Sequence, residues 1–152
     1  MTIYLDTCAL NRLADNHSQA RVRDEADAVT EILDLVADRH VSWLISDAVF
    51  LEVSRNPDAL RRAQTLPLLN MASGRITTTP ELLAQASLLQ QNAIAGFDAL
   101  HLAACTLSAV EFLLTVDDRF IARAARRAKP AVTEVLNPLD WLQRRKTWQP
   151  IP

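Results

Sequence analysis

The chain has 152 residues, of which 49% are hydrophobic and 22% charged, and these values are typical of one folded domain with its own apolar core. With only two glycines it is neither collagen-like nor built on a glycine-rich phosphate-binding loop, and no apolar run reaches the roughly 18 residues of a membrane-spanning helix. A net charge of −2 neither indicates nor excludes a nucleic-acid partner, because the placement of the basic residues decides.

Short strand-like runs alternate with longer helical segments along the chain. Five brief buried strands are predicted, at residues 3–5, 41–45, 76–78, 112–115 and 132–135. Helices are predicted over 23–39, from 80 onward, over 98–108 and 119–127, and from 138 to 141. Parallel neighbours need a crossover of a dozen residues or more, so this alternation predicts an α/β fold with a mostly parallel sheet and helices on both faces. We expect a single domain over residues 1–143 and a short tail over 144–152.

Two aspartates follow predicted strands directly. Asp6 ends the first strand and Asp117 follows the fourth. The carboxyl ends of parallel strands meet at one edge of the sheet, where such folds bind their ligands. We therefore expect both carboxylates at that edge.

Two further acidic residues lie within apolar helical segments. Asp98 opens a helix so apolar that its carboxylate should lie at the mouth of a buried element, and Glu52 stands between Leu51 and Val53. A carboxylate in such a setting needs a partner, either a cation at a functional site or a nearby arginine such as Arg55.

Each aspartate also has a purely structural interpretation that the sequence leaves open. Asp98, and Asp117 or Asp118, fit helix N-caps, and Asp6 fits an Asx-turn at a strand end. Uncompensated carboxylates at one edge would repel one another and raise their pKa values unless a cation neutralised them. Oxygen ligands favour Mg²⁺ or Mn²⁺.

The segments that carry these residues also stand in a familiar order: YLDT at 4–7 with LN at 10–11, LEVSRNP at 51–57, FDALHLA at 97–103, LLTVDDRF at 113–120 and VLNP at 135–138. In this order the chain resembles PIN domains, the metal-dependent nuclease fold that includes the VapC-type toxins of bacterial toxin–antitoxin pairs. The resemblance covers almost the whole chain. It implies a PIN-like fold with a central, mostly parallel five-stranded sheet.

The resemblance also implies a metal site. One or two Mg²⁺ or Mn²⁺ ions would be held by four carboxylates, those of Asp6, Glu52, Asp98 and Asp117. Asn11 and Thr115 would be supporting or substrate-facing groups. Asp118 is the alternative to Asp117, which the family's Thr-x-Asp pattern favours. His101, one turn into the helix that Asp98 opens, is expected to be structural.

A group of arginines comes directly after Asp117 and Asp118 in the sequence. Arg119, Arg123, Arg126 and Arg127 recur every three or four residues, which predicts a stripe opposite a core-facing side of Phe120, Ile121, Ala124 and Ala125. Arg119 and Arg123, nearest the site, would hold substrate phosphates. A solvated helix face is the alternative.

The resemblance implies a metal-dependent endoribonuclease, and a toxin with an antitoxin protein as partner is one form of it. The alternative is a catalytically weak PIN-fold module that binds RNA or a protein. A phosphohydrolase that forms an aspartyl phosphate is disfavoured, because no second aspartate stands two residues after Asp6. The family implies a homodimer, for which Leu66, Leu68, Leu69 and Met71 are candidates, although such residues more often belong to the core. The two cysteines match no disulfide or zinc pattern and no signal sequence is evident, so we expect a cytoplasmic protein without a membrane anchor.

Overall fold

A computed structural model describes residues 1–127 and 132–148 of the chain. Five strands form one sheet in the order β3-β2-β1-β4-β5, with every neighbouring pair parallel. The strands are β1 (Thr2–Leu5), β2 (Ser42–Ser46), β3 (Gly74–Ile76), β4 (Phe112–Leu114) and β5 (Glu134–Leu136). The predicted α/β fold with a parallel central sheet is confirmed.

Within the described residues, eight α-helices connect or follow the strands. They are α1 (Thr7–Asn11), α2 (Ala20–Ala37), α3 (Asp47–Ser54), α4 (Ala59–Thr65), α5 (Pro80–Gln91), α6 (Gly96–Leu107), α7 (Asp118–Ala125) and α8 (Pro138–Trp148). Two 3-10 turns, Arg12–Ala14 and Leu66–Met71, lie after α1 and α4. Among the described residues, no helix combines the length and apolarity that crossing a bilayer requires.

Burial of consecutive residues shows that helices cover both faces of the sheet. Ile3, Tyr4 and Leu5 of β1 are all fully buried, as are Leu113 and Leu114 of β4. Successive side chains of a strand point to opposite faces, so a run without exposed positions means that both faces are covered. The two central strands are thus held firmly, and their carboxyl ends are fixed points of the fold.

Three strands are displaced from their predicted positions, β2 by one residue, β3 by two, and β5 by two at its start and one at its end. The run at 76–78 was predicted from its β-branched residues, but Ser46 of β2 pairs with Ile76, the last residue of β3. The Thr78 N–H then donates to Asp47 Oδ2 at 2.7 Å, and Thr79 caps α5, so the chain leaves the sheet early. β5 likewise begins at Glu134, where its pairing with Phe112 of β4 starts.

The last helix is longer than the sequence suggests. Asn137 Oδ1 accepts the Leu139 N–H at 2.9 Å, which is the predicted cap, but α8 continues past Trp141 to Trp148. Arg145 is buried, and Trp148 stacks on Phe112 with ring centroids 5.5 Å apart. Residues 144–148, which the sequence assigned to a tail, therefore belong to the packed domain, and residues 149–152 lie outside the described part.

Candidate metal and substrate site

Asp6 and Asp117 lie at the same edge of the sheet, as the strand pattern predicts. Leu5 pairs with Leu114, and the Asp6 N–H donates to the Leu114 carbonyl at 3.1 Å. Asp6 Oδ1 accepts the Ala9 N–H at 2.9 Å and so caps α1. Each strand thus passes into a helix through an aspartate, because Asp117 in turn caps α7.

Asp117 is the N-cap of α7 and also faces the other acidic residues. Its Oδ1 accepts the N–H groups of Arg119 at 2.9 Å and Phe120 at 3.2 Å. Its negative charge raises the pKa of Asp98 and of the Cys8 thiol. Asp117 is therefore the predicted helix cap, and its charge also acts on the other acidic residues of the edge.

Asp118 points elsewhere. Its two carboxylate oxygens accept the two Nη groups of Arg21 at 2.8 and 2.9 Å, and its side chain is 67% exposed. This ion pair lowers the pKa of Asp118. Of the two neighbouring aspartates, Asp117 is the one with charge directed at the acidic residues of the edge.

Glu52 reaches the edge from α3, which begins where Ser46 Oγ accepts the Val49 N–H. Its Oε1 accepts hydrogen bonds from Thr7 Oγ1 at 2.8 Å and from His101 Nε2 at 2.6 Å. The predicted alternative, an ion pair with Arg55, is absent from the described part of the chain. The sequence analysis did not predict the hydrogen bond from Thr7 to Glu52. The position of Thr7 directly after Asp6 was the one feature of the sequence that pointed to it.

Asp98 lies in the first turn of α6 and is not its cap. The N-cap is Ala95, which offers no side-chain hydrogen bond, so the capping alternative for Asp98 is wrong. Gly96 turns the chain into this helix with a φ of +59°, a conformation that favours glycine. Asp98 is half-buried, and desolvation, followed by the negative charges of Asp117 and Glu52, raises its pKa.

Cys8 on α1 lies within range of the charge of all four carboxylates. Desolvation, together with the charges of all four acidic residues, raises the pKa of its thiol to about 12. Burial also raises the pKa of Asp6 to about 6, against the lowering effect of hydrogen bonds from Thr115 and the Ala9 N–H. The edge therefore carries negative charge that the surrounding protein compensates only in part. We call the four carboxylates of Asp6, Glu52, Asp98 and Asp117 the acidic site.

The carboxylate oxygens of the acidic site are ligands that suit a hard divalent cation. The side chains are, however, too far apart to form a complete coordination sphere. Across residues 1–127 and 132–148, no three His, Cys, Asp or Glu side chains are close enough together to hold one ion. Like charges repel, and Asp6, Asp117 and Glu52 each commit an oxygen to a protein donor. The close convergence that the family resemblance implied is therefore not preassembled.

Thr115 and Asn11, the predicted supporting groups, have different surroundings. Thr115 is fully buried; its Oγ1 accepts the Asp117 N–H at 3.1 Å, and its hydrogen bond to Asp6 lowers the pKa of that carboxyl. It thus links two members of the acidic site. Asn11 lines a cavity of about 350 Å³ beside Asp117, together with Arg61.

The basic stripe on α7 is shorter than predicted. Arg119, Arg123 and Arg126 are exposed, and Arg119 lines a second cavity of about 450 Å³ on the other side of Asp117. Arg127 leaves the stripe, because its Nε donates to the Ala124 carbonyl and its Nη2 to the Thr133 carbonyl.

The apolar side of α7 differs from the prediction in one residue. Phe120 and Ala124 are buried as expected, and Ile121 is partly buried. Ala125, however, is exposed, because the helix ends there, with Arg126 as its C-cap.

A group of ion pairs lies next to the acidic site. Glu25 on α2 is 1% exposed and accepts from Arg12 Nε at 2.7 Å, Arg21 Nε at 2.9 Å and Asn137 Nδ2 at 2.9 Å. Asp15 binds Arg12 and Arg61. Sequence reasoning missed this group, although Glu25 stands one turn before the buried Val29 on the apolar face of α2. We call Glu25, Asp15 and Asp118, with Arg12, Arg21 and Arg61, the ion-pair network.

Comparisons with known proteins agree with this architecture. The family model described as the PIN domain matches residues 3–126. A chain in the crystal structure of VapBC2 from Rickettsia felis, bound to a DNA fragment from their promoter, is similar in fold, with a TM-score of 0.59 and 17% sequence identity over 90% of this chain and 98% of that one. No curated protein matches the sequence at a significant level.

Proposed function

Because the chain belongs to the PIN-domain family, whose members are in general nucleases, we propose that it is a metal-dependent endoribonuclease. It would hydrolyse phosphodiester bonds of RNA with one or two Mg²⁺ or Mn²⁺ ions held by the acidic site. The observation that carries this proposal is the placement of Asp6 and Asp117 at one edge of the sheet, where Asp6 bonds to Leu114, Thr115 bonds to Asp117, and Thr7 holds Glu52. A divalent cation would remove the repulsion between these carboxylates.

The residues of the edge have separate tasks in this proposal. Asp6 and Asp117 are held by the helices that they cap, Glu52 is held by Thr7 and His101, and Asp98 is the carboxylate with most freedom to turn toward an ion. When bound, a divalent ion lowers the pKa of a water molecule and stabilises charge on the leaving oxygen.

The two cavities beside Asp117 give the substrate a route past the acidic site. Arg119 stands in the wall of one and Arg61 in the wall of the other. Guanidinium groups bind phosphate oxygens through paired N–H groups. Arg119 has no carboxylate partner among the described residues, and it would therefore bind a backbone phosphate, with Arg123 one turn further along α7.

The first test is cleavage of a mixed RNA pool in Mg²⁺ or Mn²⁺, with EDTA as the metal-free control. Asp6→Asn and Asp98→Asn each remove one charge from the acidic site, and asparagine at position 6 still caps α1. We expect both to lower the rate by at least about 100-fold, the upper end of what losing one outer hydrogen-bond partner costs a metal site. Asp27→Asn, at an exposed position of α2, is the matched control and should cleave like the wild type. Cleavage that persists in EDTA, or in both site variants, would refute the proposal.

A catalytically weak module that binds RNA or a protein is the second candidate. It is favoured by one observation, the lack of a preassembled coordination sphere among the described residues. A calorimetric Mn²⁺ titration separates the two candidates. The nuclease should bind Mn²⁺ and lose that binding in Asp6→Asn, whereas a module without a working site should bind RNA or its partner and no Mn²⁺.

The proposed partners are an antitoxin and a second copy of the chain. The similar structure is that of VapBC2 with promoter DNA, and an antitoxin for this chain is proposed by analogy. Co-expression with the product of an adjacent gene should relieve growth arrest if that gene encodes the antitoxin. The candidate dimer residues lie toward the core, since Leu69 is buried and Leu66, Leu68 and Met71 pack against it. A homodimer would therefore use other residues, and light scattering of the purified protein tests it.

A further inference from the structure

A chain of hydrogen bonds runs from the interior of the sheet to the acidic site. Tyr4 Oη lies 2.6 Å from Ser46 Oγ and 2.6 Å from His101 Nδ1. His101 Nε2 lies 2.6 Å from Glu52 Oε1. Tyr4, Ser46 and His101 are at most 2% exposed, so they have no water to replace a lost partner.

The groups at the two ends of this hydrogen-bond chain determine which atoms donate along it. An ionised carboxylate only accepts hydrogen bonds, so His101 Nε2 carries a hydrogen and donates it to Glu52. At the other end Ser46 Oγ accepts the Val49 N–H, which leaves its hydroxyl hydrogen to donate to Tyr4. Tyr4 then donates to His101 Nδ1. In the reverse direction the Ser46 hydroxyl would have no acceptor within the described residues.

We propose that His101 is a positioning residue, which holds the carboxylate of Glu52 through its Nε2–H while Tyr4 and Ser46 hold the ring in the Nε2–H tautomer. Sequence analysis predicts a structural role for His101, and its contact with Glu52 makes that role part of the site. A glutamate on a short helix, with a side chain 25% exposed, otherwise has several rotamers. The proposal rests on the proposed function only for what Glu52 does; the tautomer and the held carboxylate are properties of the metal-free protein.

The hydrogen-bond chain also connects the strand and helices that carry the acidic site. Tyr4 lies on β1, which ends at Asp6; Ser46 starts α3, which carries Glu52; and His101 follows Asp98 by three residues, so the two lie on one face of α6. A shift of any one of these elements would break a short buried hydrogen bond. The chain therefore sets the spacing of three carboxylates as well as the orientation of one.

The first experiment measures the tautomer directly, by NMR of metal-free protein with ¹⁵N-labelled histidine at pH 7.5. We expect His101 to show one protonated nitrogen, Nε2, and one unprotonated nitrogen, Nδ1. Its signals are assigned by their loss in His101→Gln, and the exposed His17 and His40 serve as internal references. In Tyr4→Phe the Nδ1 acceptor loses its donor, so the Nδ1 signal should shift, while Nε2 stays protonated against Glu52. A ring protonated at Nδ1, or an Nδ1 signal unchanged in Tyr4→Phe, would overturn the proposal.

The second experiment compares Mn²⁺ affinity, by calorimetry, with steady-state cleavage. His101→Phe keeps a ring and removes both nitrogens; we expect Mn²⁺ to bind about 10- to 100-fold more weakly and kcat to fall, with KM for RNA unchanged because His101 does not touch RNA. His101→Gln keeps a side-chain N–H for Glu52 and should recover most of the loss. His40→Gln, an exposed matched control, should equal the wild type.

The variants also separate failure of this proposal from failure of the proposed function. Wild-type affinity and kcat in a folded His101→Phe protein would overturn the positioning role. If His101→Phe does not fold, Tyr4→Phe replaces it, because it deletes only one hydroxyl; a loss of about 3- to 10-fold in Mn²⁺ affinity is expected, and no loss would overturn the proposal. If the wild type itself neither binds Mn²⁺ nor cleaves RNA, the proposed function fails, while the NMR result still decides the tautomer.

Discussion

The acidic site and the ion-pair network lie side by side and use the same residue types to opposite effect. Asp6 is 2% exposed and Glu25 is 1% exposed. Desolvation raises the pKa of Asp6 to about 6. At Glu25 desolvation also acts upward, but the hydrogen bonds from Asn137, Arg21 and Arg12 outweigh it and lower the pKa.

The difference shows that burial alone does not decide the direction in which the pKa of a carboxylate shifts. Glu25 is buried and fully partnered, which is typical of a residue that joins helices. Asp6 is equally buried, but its partners are one backbone N–H and a threonine hydroxyl, and its neighbours are further carboxylates. The useful criterion is whether the protein itself neutralises the charge.

The network also supports the site mechanically. Arg21 bridges Glu25 on α2 to Asp118 on α7, and Asn137 adds the start of α8. Asp118 is the residue next to Asp117, so these bonds hold the end of β4 against α2. The ion-pair network, whose charges are paired, therefore borders the acidic site, whose carboxylates repel one another.

The largest expected effect is a pH dependence of stability with opposite signs in the two regions. In metal-free protein the pKa of Asp6 is about 6 rather than 3.8, so between those pH values the native state binds more protons than the unfolded state. Asp6 therefore costs stability as pH rises from about 4 to about 6, by up to about 3 kcal/mol. The network carboxylates have lowered pKa values, and their contribution is lost as pH falls below their ordinary range.

Urea unfolding in EDTA between about pH 3 and pH 7.5 measures both parts of this effect. Asp6→Asn should become more stable relative to wild type as pH rises, whereas the exposed control Asp27→Asn should follow the wild-type curve. Added Mn²⁺ should stabilise the wild type at pH 7 and not Asp6→Asn, because metals bind the deprotonated carboxylate. Parallel curves for wild type and Asp6→Asn would show that the charge of Asp6 is compensated after all.

Neutralising the centre of the network should have a smaller effect, and on stability alone. Glu25→Gln leaves the guanidinium groups of Arg12 and Arg21 facing an uncharged side chain. Both arginines are partly exposed, so we expect a loss of about 2 kcal/mol rather than the full cost of orphaning a buried charge. Urea unfolding at pH 7 measures it, with Asp24→Asn, an exposed position on the same helix, as the control. A loss of Mn²⁺ binding in folded Glu25→Gln would contradict the division into two regions.

The smallest expected effect concerns the exposed arginines of α7. Arg119→Gln would remove the proposed phosphate contact, so KM for RNA should rise about 3- to 10-fold and the salt dependence of binding should weaken by about one charge. Arg126→Gln, at the far end of α7, is the matched variant and should change KM less. Equal effects of the two would favour a general basic surface over a phosphate site at Arg119.

The sequence predicted the parts of this protein that depend on local pattern and chain order. Alternating strands and helices determine a parallel sheet, and the places of Asp6 and Asp117 directly after central strands determine that both lie at its carboxyl edge. The caps at Thr79 and Asn137 were also predicted, because a cap depends on neighbours a few residues away. The predicted bounds of β3 and β5 were displaced by one or two residues, because pairing with another strand decides where a strand begins and ends.

Only the tertiary structure decided which side chain partners which carboxylate. His101 meets Tyr4 across 97 positions of sequence, Arg21 meets Asp118 across 97, and Asn137 meets Glu25 across 112. Such contacts depend on how α2, α6 and α7 pack against the sheet, which no local periodicity specifies. For the same reason the sequence named the acidic residues but could not tell a neutralised Glu25 from a strained Asp6, since charge compensation is a property of the folded surroundings.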